Sequence, residues 1–207
     1  MITQVPDAVA TGLVDSLSRP GHNVTGVQLN TAETAAKTLE ILREILPRAR
    51  TVVSLVDLSS PVTGFYSAEV ARAAKLLSLS FQTIALKSSG NLDAALPELS
   101  RLRPQAALVQ PTLGLRAAEM LLTHGVPAVS PSATLAPSAL ITYSADLSDI
   151  YRIAAGYVDR ILKGARPAEL PVQQPTKFEL VINHRTSRAL GIDFPASIVA
   201  RADRAIE

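Results

Sequence analysis

Residues 171–183 read PVQQPTKFELVIN. Pro171, Gln173, Gln174 and Pro175 form a polar crossover bounded by prolines, which lack the N–H that a helix interior or central strand requires. The crossover feeds one short strand, Phe178 to Ile182, and a helix is expected from Asn183 onward. Such a segment, late in a chain of alternating helices and strands, predicts a return to a sheet left earlier. That predicts two lobes, with a ligand held between them.

The rest of the chain supports an α/β reading with a largely parallel sheet. Ala8 to Leu17 has helical spacing and stops at Arg19-Pro20-Gly21. Val24 to Leu29 reads as a strand. Thr31 is a plausible N-cap for a helix carrying Leu39, Leu42, Ile45 and Leu46 on one face, ended by Pro47. Thr51 to Val56 is a continuous apolar run of the kind buried in parallel sheets. A loop at 57–63 leads to a helix over 64–77, and strands are expected at 80–85, 105–109, 126–129 and 139–143. Helices are expected from Asn91 to about 103, over 114–123, and from Asp146 or Ser148 to Leu162. Two short helices, near 185–190 and 196–205, complete the chain. Residues 30–138 read as a complete lobe. Residues 1–29 and 139–207 read as parts of another.

The composition narrows the function. The chain has 207 residues, 47% of them hydrophobic and 18% charged, a balance opposite to that of disordered chains. The net charge of +2 is spread over scattered arginines and lysines, and aromatics are 4%. Neither a basic patch nor a stacking platform for nucleic acid is expected. There is no cysteine, which removes disulfides, thiolate metal sites and cysteine nucleophiles. His22, His124 and His184 lack metal-ligand spacing, so no metal and no cofactor is expected. No stretch approaches the roughly 20 apolar residues of a membrane helix, and the opening residues lack the pattern of an export signal.

Binding chemistry in open α/β sheets belongs beyond the carboxyl ends of the strands. The loops there are 57–63, 110–112, 130–134 and 143–146, and they are rich in hydroxyls. They nominate Ser59, Ser60, Thr63, Thr112, Ser130, Tyr143 and Asp146 as ligand-binding residues. Ser59, Ser60 and Thr63 precede a helix whose first N–H groups can receive a carboxylate; ordinary N-capping without a ligand is the commoner role of such residues. Asp57 and Asp146 are candidate acids with capping as the alternative role. Tyr143 ends a strand at the expected cleft and can stack on a flat ligand. No G-x-S-x-G, P-loop or G-x-G-x-x-G motif is present, so no catalytic residue is nominated.

Three segments carry a family resemblance. Residues 17–27, LSRPGHNVTGV, resemble the SL-x-RPGGN-x-TG segment of the ABC transporter substrate-binding proteins that include tryptophan- and tyrosine-binding members. Thr38 to Glu44 resembles their K-x-LELL-x-E helix. The tail from Ile161 through 171–183 to Asp203 is similar to their C-terminal block. The resemblance implies a type I periplasmic-binding-protein fold. Two Rossmann-like lobes would close on a small organic solute, with an amino acid as one candidate, and the loaded protein would dock on a membrane permease outside the cytoplasm. It implies one complete lobe here and only a remnant of the other, with impaired binding and self-association through the incomplete lobe as consequences. Where relatives often carry Asn-Pro after the strand matching 51–56, this chain has Asp57-Leu58-Ser59-Ser60-Pro61. Their SYG becomes Thr142-Tyr143-Ser144. Two rival readings are a cytosolic ligand-sensing module of the same fold and an α/β enzyme.

Overall fold

A computed structural model describes residues 1–5 and 7–207. In chain order its strands and helices are β1 (Ile2–Val5), β2 (Gly26–Gln28), α1 (Thr31–Ile45), β3 (Thr51–Asp57), α2 (Thr63–Leu76), β4 (Ser80–Leu86), α3 (Leu96–Leu102), β5 (Ala106–Val109), α4 (Leu115–Thr123), β6 (Ala128–Ser130), β7 (Ile141–Ala145), α5 (Leu147–Leu162), β8 (Phe178–Asn183), α6 (His184–Leu190), α7 (Ala196–Arg201) and β9 (Arg204–Ile206). They divide into two compact units, Met1–Thr31 with Ala145–Phe178 and Ala32–Ser144 with Glu179–Glu207.

The larger unit is an α/β sandwich built on a seven-stranded sheet of order β4-β3-β5-β6-β7-β8-β9. Pairing from β4 across to β7 is parallel. Asn183 N donates to Leu140 O, and Asp146 N donates to Lys177 O. These bonds mark opposite ends of the β7–β8 contact, so β8 runs against β7. Strand β3 shows why the sheet is covered on both faces. Val52 and Val56 point into a core with Leu39 and Leu42 of α1 and Tyr66 and Val70 of α2. The alternate residues Val53 and Leu55 point into a second core with Leu99 of α3 and Leu121 of α4. A strand buried on both faces must be apolar throughout, which accounts for its uninterrupted run.

The smaller unit has its own modest core of Ala8, Val14 and Val172 and a two-stranded parallel sheet, β1-β2. The crossover 171–177 is pinned here. Gln173 bridges Val27, Val172 N donates to Leu17 O, and the buried Tyr157 hydroxyl donates to Pro171 O. Asp146 caps α5, accepting from Ser148 N at 2.8 Å and Asp149 N at 3.2 Å.

Three expectations are corrected. The strand after the crossover does not stay with the first lobe: β8 enters the larger sheet between β7 and β9. Leu180, Val181 and Ile182 are buried on both sides, and a two-stranded sheet cannot cover two faces. Ala8 to Leu17 is not a helix. Asp7 Oδ1 accepts from Val9 N and Ala10 N, and Gly12, at φ +70°, turns the chain out after one turn. The final helix stops at Arg201 because Asp203 recruits β8: its N–H donates to Leu180 O, and its Oδ2 accepts from Leu180 N at 2.7 Å. The residues beyond it become β9.

Candidate functional site

The strand order β4-β3-β5-β6-β7 reverses direction at β3. The chain goes outward from β3 to β4, then returns across β3 to β5. Loops leaving β3 and β5 therefore diverge and open a crevice at their carboxyl ends, where ligands bind in open α/β sheets.

Asp57 and Gln110 are the residues at those two ends. Both are almost fully buried. Gln110 Oε1 accepts from Asp57 N at 2.8 Å, and its Nε2 donates to Thr63 Oγ1 at 3.0 Å. Thr63 in turn donates to Asp57 O. The three residues lock the end of β3, the end of β5 and the first turn of α2 into one hydrogen-bonded unit. The intervening loop is also tied down. Asp57 Oδ1 accepts from Ser59 N at 2.9 Å and Ser59 Oγ at 2.6 Å. Ser60 N donates to Asp57 O, and Thr63 N donates to Ser60 O.

This frame presents the start of α2 uncapped. Val62 occupies the N-cap and offers no side-chain hydrogen bond. Thr63 N and Tyr66 N find partners in Ser60 O and Val62 O, whereas Gly64 N and Phe65 N have none among the described residues. Apart from its chain neighbours and its own helix backbone, no described atom lies within 4 Å of the place a side chain would take at Gly64, so the surface of the first turn is uncrowded there. Leu58, in the loop before α2, is 57% exposed and Phe65, in its first turn, is 50% exposed, so apolar surface is exposed in the same segment. The arrangement offers donors and positive dipole for an anionic group, with apolar contact alongside.

The nominated residues fall into four sets. Ser59 and Ser60 lie in the loop before α2. Thr112 is exposed on the short turn Pro111–Leu113 after β5, also at the strands' carboxyl edge. Thr63 and Ser130 reach the same edge but are buried, with hydroxyls already engaged. Ser130 Oγ donates to Val109 O at 3.0 Å, while Thr63 serves the Gln110 frame. Tyr143, half-buried, packs against the core shared with α1 and α2. Asp146 belongs to the smaller unit and is spent as the cap of α5. The residues not nominated are Leu58, Gly64, Phe65 and Gln110. Gln110 had a usable signal, being the first polar residue after an apolar strand at the switch point.

Deeper in, burial pushes the Tyr66 phenol above its ordinary pKa and keeps it neutral; its hydroxyl has no hydrogen-bond partner among the described residues. No described residues cluster as three potential metal ligands.

Residues 1–206 match the family described as ABC transporter substrate binding protein. The chain belongs to that family. It is 24% identical over 197 residues to the tyrosine-binding protein of Clostridioides difficile strain R20291, covering 92% of this chain but 56% of the relative's length. It superposes with a TM-score of 0.88 on a Streptococcus pneumoniae ABC domain solved with L-Trp, at 23% identity over 99% of this chain and 72% of that one. A conserved domain protein of Vibrio cholerae gives the same TM-score and identity, over 98% and 70%. These likenesses establish the type I periplasmic-binding-protein architecture.

Proposed function

We propose that this chain is the solute-binding part of an ABC importer, working outside the cytoplasm and delivering a small organic ligand to a membrane permease without chemical change. The ligand is an amino acid with an aromatic or large apolar side chain. The larger unit supplies one wall of its site, at the carboxyl edge of β3 and β5. One observation carries this reading: the N–H groups of Gly64 and Phe65 have no partner among the described residues, in a segment that also exposes Leu58 and Phe65. A carboxylate suits the donors and an apolar side chain suits the surface. Family membership and relatives described with tyrosine and L-Trp point to the same ligand class.

Calorimetric titration with L-tryptophan, L-tyrosine, L-leucine and their carboxamides tests this. The free acids should bind and the amides should not, because an amide brings no negative charge to the helix terminus. Equal binding of acids and amides would overturn the carboxylate assignment. Silence across the panel would overturn the amino-acid reading.

We also infer that the smaller unit drives self-association. Val9, Leu13, Leu147, Val158 and Leu162 are all exposed on it, the last four-fifths so, and its own core is small. Exposed apolar surface of this kind favours association.

A further inference from the structure

We infer that the amino edge of the larger sheet holds a further ligand pocket, one that takes a small aliphatic carboxylate. It lies at the opposite edge of the strands from the crevice and does not depend on the ligand proposed there.

The pocket has a volume of about 570 Å³, within the range of small-molecule sites. Leu46, Pro47 and Ala49 before β3, Pro104 before β5, Pro127 before β6 and Ile192 after α6 form its walls. All are aliphatic, and three are prolines, which bring no N–H of their own. The strand entries that carry these walls are tied together. Arg43 Nη1 donates to Ala49 O at 2.6 Å, and Ala107 N donates to Pro127 O at 2.8 Å. Gln105 Oε1 accepts from Arg50 N at 2.6 Å and Thr51 N at 3.1 Å. The pocket is therefore held by the frame of the sheet itself.

The polar side chains on the lining are Arg48 and Gln105, and both have only donors left to give. A guanidinium has no acceptor, and the two lone pairs of the Gln105 oxygen are filled by the two backbone N–H groups. Neither the Arg48 guanidinium nor Gln105 Nε2 has a partner among the described residues. The charge around the pocket has the same sign. Arg50 and Arg103 stand one position from the lining residues Ala49 and Pro104, and neither enters an ion pair among the described residues. Arg103 closes α3 at φ +44°, a left-handed position where glycine is the usual residue, so this cation is placed at some conformational cost. Of the acids in equivalent positions, Glu44 is held by Arg201 at 2.9 Å, which leaves Asp193, beside Ile192, against three arginines. A ligand that meets donors at one end and aliphatic walls elsewhere is an acid with a hydrocarbon body.

Octanoate, with octanamide as its uncharged counterpart, tests this on the intact chain by titration followed through amide resonances. Gln105, Gly125 and Ile192 report on the pocket, and Gly64 and Phe65 report on the crevice. Octanoate should shift the three pocket resonances. Read from them, it should bind about 10-fold more tightly than octanamide, the low end for a hydrogen bond to a charged group, because Arg48 is exposed. Arg48→Gln should abolish that preference by weakening octanoate alone. Octanoate that moves only the crevice resonances, or none, would overturn the pocket and leave the amino-acid proposal untouched. Equal affinity of the wild type for the two probes would overturn the carboxylate assignment without recourse to any variant. A preference that survives Arg48→Gln would overturn the role given to Arg48.

Discussion

The Gln110 frame is the part of this site most open to a quantitative test, through replacement of Gln110 by methionine. Methionine has nearly the same volume and the flexibility to fill the same space, so the cavity term is small. What is lost is specific. Asp57 N, at 2.8 Å from Gln110 Oε1, is left buried without an acceptor, at a cost of about 1–3 kcal/mol. Thr63 Oγ1 loses the 3.0 Å donation from Nε2 but keeps its own bond to Asp57 O, so its share is smaller. The net destabilisation should be about 2 kcal/mol. Urea denaturation followed by far-ultraviolet circular dichroism should show it as a midpoint lowered by roughly 1 M, taking a slope near 2 kcal/mol/M for a chain of this size. A loss below about 0.5 kcal/mol, the level of an ordinary surface change, would refute the claim that Gln110 holds β3, β5 and α2 together. Ligand affinity should fall in parallel, because Thr63 is the first residue of α2.

Three further outcomes are expected. Tyr66→Phe removes a buried hydroxyl that has no partner and should stabilise the protein by about 1 kcal/mol; destabilisation in the same urea assay would show that the hydroxyl is satisfied in solution. Asn183→Ala loses the N-cap bond to Thr186 N at 2.9 Å and two donations to Ala136 O and Pro137 O, so about 2–3 kcal/mol should go; an unchanged midpoint would contradict that accounting. Sedimentation velocity should reveal concentration-dependent association that Leu162→Glu with Val158→Lys reduces, and a single monomeric boundary at every concentration would dispose of the self-association proposal.

The fold was legible where pattern and burial coincide. The apolar run of β3 announced a strand covered on both faces, and Asn183 announced the start of α6. Residues 8–17 misled because their apolar spacing is helical, yet Asp7 at one end and Gly12 inside favour a single turn. The pattern of 178–182 predicts a strand but not the sheet it joins, which is the larger one. Its apolar pattern reports that both faces are covered and carries nothing about which elements cover them. Local propensity extends the last helix past Arg201 because it cannot register the pull of Asp203 on Leu180, which are 23 positions apart.

For the site, residue type located the loops and left the roles of their side chains open. Ser59, Ser60, Thr63, Thr112 and Ser130 are all hydroxyls at the same edge of one sheet. Which of them can meet a ligand depends on whether another protein group has already claimed the oxygen. Thr63 and Ser130 lie within reach of Asp57 O and Val109 O, and a buried hydroxyl in that position bonds to the protein first. Ser60 and Thr112 sit past the strand ends, where the backbone no longer offers such acceptors. The recognition elements proposed above carry no hydroxyl at all. The donors at Gly64 and Phe65 are backbone, and the apolar contact comes from Leu58 and Phe65, which a hydropathy pattern would send to a core. The recognition proposed here depends on what the frame of Gln110 and Thr63 leaves open, and that remainder is fixed by tertiary hydrogen bonding rather than by residue type.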